Sequence, residues 1–230
     1  MKTNIATEDP KLTAMENIAN PSRRRFFQVA GGLAGAGILL SACHKSSSNS
    51  GINLGSGDTG ILNYAYALEQ LEAAFYTQVI ATPYTGMTPD EMALLTQIRD
   101  HEVAHREFFK AALASAAIPA LSVNFTSITF SDRNSVLATA QAFEDLGVSA
   151  YNGAGRLISD PNYLLVAGKI VSVEARHAAY IRDLVYFNSF ADSTAVSTSG
   201  LDAENTPAAV LAIAGKYLNS KLNASNLPNK

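Results

Sequence analysis

The chain has 230 residues, 47% hydrophobic and 16% charged, a composition that suits one packed domain with extensions. A formal net charge of -3 with scattered Lys and Arg argues against nucleic-acid binding. The single cysteine excludes an intrachain disulfide and any zinc or iron–sulfur site built from cysteines.

Arg23, Arg24 and Arg25 precede a weakly apolar, glycine-bearing run from Phe26 to Ala42. That run is short for a membrane span, and a basic stretch followed by an apolar one is the pattern of an export signal. Ser22-Arg23-Arg24-Arg25-Phe26-Phe27 resembles a twin-arginine signal. Leu40-Ser41-Ala42-Cys43 resembles the end of a lipoprotein signal peptide. These resemblances imply that residues 1–42 are removed, that Cys43 is lipidated, and that the chain is exported and held to a membrane on the periplasmic side of a bacterial envelope. Residues 44–60 are rich in Ser and Gly, so 43–60 is expected to be a flexible tether outside the fold.

From residue 61 the apolar spacing is helical nearly throughout, which predicts an all-α domain over 61–187. The first helix is expected over about 61–81, ending before Pro83. The second is expected over about 88–117, with Thr88 as its cap and Pro89 at its first position. The third is expected over about 132–159 with Asp132 as its cap, and the fourth from Pro161 to about 187. A short fifth helix follows Thr206-Pro207 in a C-terminal extension, 188–230. Short connections make the first and second, and the third and fourth, antiparallel neighbours. The stretch from Ile118 to Ser131 reaches roughly 45 Å when extended, longer than the about 38 Å of a 25-residue helix. It can cross the whole bundle and set the third helix parallel to the second. A four-helix bundle with one long crossover is the expected architecture. Ser122 to Phe130 alternates like a strand, but without a visible partner it is expected to be an extended strap.

Carboxylates within apolar helix faces need a reason, because burying them unpaired is costly. The first helix carries Glu69 and Glu72, the second Glu102 and His105, the third Glu144, the fourth Glu174 and His177. His-Glu-Val-Ala-His, residues 101–105, matches the H-E-x-x-H zinc-protease pattern. The second copy of the unit, Glu174-Ala-Arg-His177, has Val173 in place of the leading histidine. The shared unit is therefore E-x-x-H, which leaves His101 as a surface residue. The longer protease pattern wants Gly and His where this chain has Phe108 and Ala111. Each half of the domain gives one glutamate, a tyrosine seven residues later (Tyr76, Tyr151) and then E-x-x-H. Residues three apart share a helix face, so two such hairpins can converge four carboxylates and two imidazoles. This is the ligand set of di-iron and di-manganese carboxylate bundles, and its four negative charges balance two divalent ions. Glu69, Glu102, His105, Glu144, Glu174 and His177 are the expected metal ligands, with Glu102 and Glu174 as bridges. Glu72, Tyr76 and Tyr151 are expected around them rather than on the metal.

Leu62-Asn63, Glu69 and Tyr76 in LNYAYALEQLEAAFY resemble the first ligand helix of bacterioferritins and rubrerythrins. Together with HEVAHREFF, FEDLGVSAYNGA and EARHAAY, this segment is similar to the exported bacterial group of the ferritin-like superfamily, which includes plant desiccation-related proteins. The resemblance implies a ferritin-like bundle holding two iron ions, with manganese as the alternative. Oxidation of Fe(II), or consumption of peroxide or dioxygen, is the implied chemistry. A stress- or desiccation-related binding protein of the envelope, with a structural or vestigial metal, is the other expectation. A homodimer is left open.

Overall fold

The computed structural model describes residues 51–228. The export signal, Cys43 and the first part of the tether lie outside the described residues. Four long helices carry the fold: α1 (Gly57–Ala81), α2 (Pro89–Leu113), α3 (Arg133–Gly155) and α4 (Pro161–Val185). A short α5 (Pro207–Ala214) follows, and two-residue strands β1 (Ile52–Asn53) and β2 (Leu222–Asn223) pair in parallel. α1 packs on α2 and α3 on α4 as two hairpins, with α1 and α3 in contact between them.

Local chemistry explains where the helices start. Thr88 Oγ1 accepts from Glu91 N at 3.1 Å while Glu91 Oε2 accepts from Thr88 N at 2.9 Å, a reciprocal capping box. Asp132 and Asp160 cap α3 and α4 by accepting from Asn134 N and Asn162 N. Pro89 and Pro161 occupy first helical positions, where the missing N–H costs nothing.

α1 is the central helix, buried along most of its length and around most of its circumference. That is possible because the crossover lies against it. Ile118 N donates to Asn63 Oδ1 at 2.9 Å, and Leu121 N donates to Gln70 Oε1 at 2.8 Å. Phe125 and Phe130 then pack with ring centroids 6.0 Å from Phe75. The two buried amide side chains of α1 thus satisfy strap backbone that would otherwise be stranded away from water. The strap delivers α3 to the starting end of α2, where Arg133 Nε donates to Glu91 Oε1 at 2.8 Å. α3 therefore runs parallel to α2, as the length of the crossover requires.

Several expectations need correction. The strap does have a strand partner: Asn124 N donates to Tyr217 O at 2.7 Å, Asn219 N donates to Ser122 O at 2.9 Å, and Val123 bridges Leu218. Before this pairing, α5 tightens into a 3-10 turn at Gly215–Tyr217 and the chain becomes extended at Leu218. The tether expected to end at residue 60 gives way to folded chain from Gly51 onward. Leu54 is fully buried, Ile52 N donates to Lys221 O and Leu54 N donates to Asn223 O, and α1 already begins at Gly57. The apolar side chains of Ile52 and Leu54 had been outweighed in the sequence by the glycines around them. The second helix also stops early, at Leu113, because Ala114 turns to φ 48°. α3 ends at Gly155 and α4 at Val185, short of the 159 and 187 expected.

The extension after α4 packs back on the α3–α4 hairpin. Arg182 forks onto Asp145 through Nε and Nη2, at 2.7 and 2.8 Å, and donates from Nη1 to Thr194 Oγ1 at 2.7 Å. Asn205 N donates to Ser149 O at 2.9 Å. At Gly153 an added Cβ would lie 1.9 Å from Asn205 O, so only glycine lets this strand of chain come so close to α3.

Candidate metal centre

The six expected ligands come from all four long helices and meet in the middle of the bundle. Glu69 is presented by α1, Glu102 and His105 by α2, Glu144 by α3, Glu174 and His177 by α4. The four carboxylates are fully buried, while the His105 side chain keeps 13% of its surface exposed. His105 Nδ1 lies 3.0 Å from Glu174 Oε1, 3.4 Å from Glu69 Oε2 and 3.5 Å from Glu102 Oε2. His177 Nδ1 lies 2.8 Å from Glu102 Oε1 and 3.5 Å from Glu144 Oε2.

These approaches lack the angles of hydrogen bonds. Glu69 Oε2, both oxygens of Glu102, His105 Nδ1, Glu144 Oε2, both oxygens of Glu174 and His177 Nδ1 are buried without a hydrogen-bond partner. Buried polar atoms are nearly always paired, so a cluster of unpaired ones directed at common points marks a site for something else. The oxygens divide into two kinds. Tyr151 Oη donates to Glu69 Oε1, and Tyr76 Oη donates to Glu144 Oε1 at 2.5 Å. Each tyrosine thus holds the glutamate of the opposite hairpin and leaves that glutamate one free oxygen. Glu102 and Glu174 keep both oxygens free. Two sets of donor atoms lie within 4.8 Å of one another: Glu69, Glu102, His105 and Glu174, and Glu102, Glu144, Glu174 and His177. Glu102 and Glu174 belong to both sets, which is the place of bridging ligands.

Electrostatics follow from this crowding. Burial raises the carboxyls of Glu69, Glu144 and Glu174 above their ordinary range, Glu69 to about 7 and Glu174 well above. In Glu102 burial is outweighed by the facing imidazoles of His105 and His177, which bring its carboxyl down to about 2. Burial is outweighed in the histidines as well. Glu102, Glu174 and Glu69 hold His105 well above its ordinary value, and Glu102 and Glu144 raise His177 to about 10. Without a cation, protons balance the buried charge; a divalent ion would take their place.

One residue stands elsewhere than expected. His101 was expected to be a plain surface residue. It is exposed, but its ring stacks on His177 with centroids 5.2 Å apart and planes 7° apart, and its Nδ1 lies 2.9 Å from His177 Nε2. His177 thus has Nδ1 toward the carboxylates and Nε2 against a second imidazole. Sequence reasoning had discarded His101 because the second hairpin has no equivalent. Glu72 is 4% exposed and lies outside both sets of donor atoms. Its neighbour across the interface is Gly147, where an added Cβ would lie 3.1 Å from Glu72 Oε1 and 3.3 Å from Glu174 Oε2.

A family model described as a ferritin-like domain matches residues 57–187. No curated protein matches the chain significantly. The matched segment starts where α1 starts and ends two residues after α4.

Proposed function

The chain belongs to the ferritin-like domain family, and on that premise we propose that it binds two iron ions, or two manganese ions, and uses them in redox chemistry. The observation that carries this is the set of eight buried, unpaired donor atoms, with Glu102 and Glu174 free at both oxygens. Four carboxylates and two imidazoles with no thiolate suit iron or manganese, and their charge balances two divalent ions. Glu69, Glu102, His105, Glu144, Glu174 and His177 would hold such ions, which would supply electron transfer to dioxygen or peroxide, or from Fe(II) as substrate.

The chain's own residues do the rest. Tyr76 and Tyr151 fix the orientation of Glu144 and Glu69 through their hydroxyls, as outer partners do for metal-binding carboxylates. His105 lies at the exposed side of the cluster and gives it a path to solvent. Export and membrane attachment through a lipid on Cys43 are part of the proposal, supported by the order of arginines, apolar run and cysteine. Among the described residues no helix is long and apolar enough to cross a membrane.

A second reading has an observation in its favour. All four carboxylates are fully buried, and closed metal sites are more often structural than catalytic. The protein would then be an envelope stress or desiccation-related binding protein that its metals stabilise. Fe(II) oxidation and peroxide consumption by the purified full-length chain, beside Glu102→Ala, separate the two. Turnover that disappears in the variant supports the redox reading. Metal binding without turnover leaves the structural one.

A further inference from the structure

The core has a gap toward the start of α1. An apolar cavity of about 30 Å³ is lined by residues of all four long helices. Its inner wall is Ala65 and Leu68 of α1 with Ala150, Tyr151 and Ala154 of α3, all buried. Its mouth is half-buried: Phe108 and Ala112 come from α2, and Tyr163, Val166 and Ala167 from α4. α2 packs on α1 and α4 packs on α3, but the two scarcely touch each other, so the seam between them leaves the opening. The cavity stands one helical turn from the metal centre. Ala65 precedes Glu69 by four residues, and Phe108 and Phe109 follow His105 by three and four, which is about 5.4 Å along each axis. Glu69 and His105 belong to the same set of donor atoms. Tyr151 joins the two places: it lines the cavity, and its hydroxyl donates to Glu69 Oε1.

Size and lining select the occupant. One water-sized sphere needs about 10–15 Å³, and a buried water needs about two to four polar partners. The cavity has room for about two such spheres, but its wall is almost wholly apolar. Water and hydrogen peroxide would give up hydrogen bonds on entering and find none in return, a costly exchange. A cavity that takes benzene measures about 150 Å³, so rings and acyl chains are too large. Dioxygen has two heavy atoms and no strong hydrogen bonds to lose. It matches both the volume and the wall.

Resting on the di-metal reading above, we infer that this cavity binds dioxygen and passes it to the Glu69–His105 side of the centre. The seam between α2 and α4 is the entry, the α1–α3 wall is the resting place, and Leu68 and Tyr151 are the last side chains before Glu69. Polar reactants have a separate approach, on the exposed side of His105. Filling the cavity therefore obstructs dioxygen and leaves the approach of peroxide open.

The test reads dioxygen directly through its paramagnetism. Methyl NMR spectra of the purified, metal-free full-length chain are recorded under oxygen and under nitrogen at equal pressure, beside Ala154→Leu on the wall and Ala112→Leu at the mouth. The expected result is oxygen-dependent broadening concentrated on Ala65, Leu68 and Ala150. It should exceed that of Val79, Leu95, Val136 and Ala140, which are at least as deeply buried but do not line the cavity. Both variants should lose the excess and melt no lower than wild type, because filling a void does not destabilise. In the iron-loaded chain, both should slow oxidation of Fe(II) by dioxygen and leave oxidation by hydrogen peroxide unchanged. Even broadening across the core overturns the inference and leaves the di-metal reading intact. Two variants that both melt well below wild type mean that there is no void to fill, and overturn it as well. Excess broadening with an undiminished dioxygen rate in the filled variants makes the cavity a dead end and overturns the passage. A wild type that binds no iron overturns the di-metal reading and the passage with it.

Discussion

Tyr76→Phe removes one atom from the protein and leaves its packing in place. Tyr76 is fully buried, and its ring sits edge-on to Phe75 at 5.1 Å between centroids, a contact phenylalanine keeps. What disappears is the hydrogen bond to Glu144 Oε1. Glu144 is itself fully buried, so no water replaces the lost donor. A hydrogen bond to a charged group is worth about 1.5–3 kcal/mol. At about 2–4 °C per kcal/mol for a protein of this size, Tyr76→Phe should lower the melting temperature of the metal-loaded protein by about 3–12 °C. Tyr151→Phe should behave alike, because its hydroxyl makes the mirror-image bond to Glu69. Metal affinity should fall by about 10–100-fold in each, since the glutamate's free oxygen is no longer aimed. Circular dichroism melts and metal titrations read the two effects separately. A Tyr76→Phe protein with unchanged melting and unchanged affinity would refute the view that these tyrosines hold the terminal glutamates in place.

Two further outcomes follow from the same geometry. Loading at neutral pH must displace protons from His105 and His177 and from carboxyls such as Glu69, so metal affinity should rise steadily between about pH 6 and 8, and a flat profile would contradict the crowded-cluster electrostatics. In the metal-free protein the sign is the opposite. Glu69 is raised to about 7 and His177 to about 10, so each gives stability that is present below its unfolded value and lost as pH rises through the folded one. Glu102, lowered to about 2, loses its contribution only on the acid side. Metal-free melting temperatures should therefore fall from about pH 5 to 10, with less change once metal is bound. Away from the centre, Gly153→Ala should destabilise by about 1–3 kcal/mol through overpacking, because its Cβ would meet Asn205 O at 1.9 Å. Chemical denaturation would show it, and a neutral result would mean that residues 203–206 do not lie against α3.

Much of the bundle was legible because it rests on short-range chemistry. Thr88 and Asp132 announce helix starts through their own side chains and Pro161 through its ring, and the doubled E-x-x-H needs only a three-residue spacing to be read. The pairing of the strap with residues 217–219 was not legible: Ser122 to Phe130 alternates like a strand, but its partner lies about 95 residues away and is a single bridge with no strand pattern of its own. The start of the folded chain was hidden for a related reason: Ile52 and Leu54 are two apolar residues in a Ser/Gly stretch, and their role depends on the distant β2. At the site, the six principal ligands could be read from symmetry between the hairpins. His101 could not, because it breaks that symmetry, and a search for matching positions passes over it.

Elemental analysis of the full-length chain, purified from iron- and manganese-supplemented medium beside a Glu102→Ala/Glu174→Ala double variant, is the most direct test of the centre. The geometry predicts two iron or manganese ions per wild-type chain and their loss from the variant, because each ion depends on both bridging glutamates. A folded wild-type protein with no metal, or a variant that keeps both ions, would contradict it.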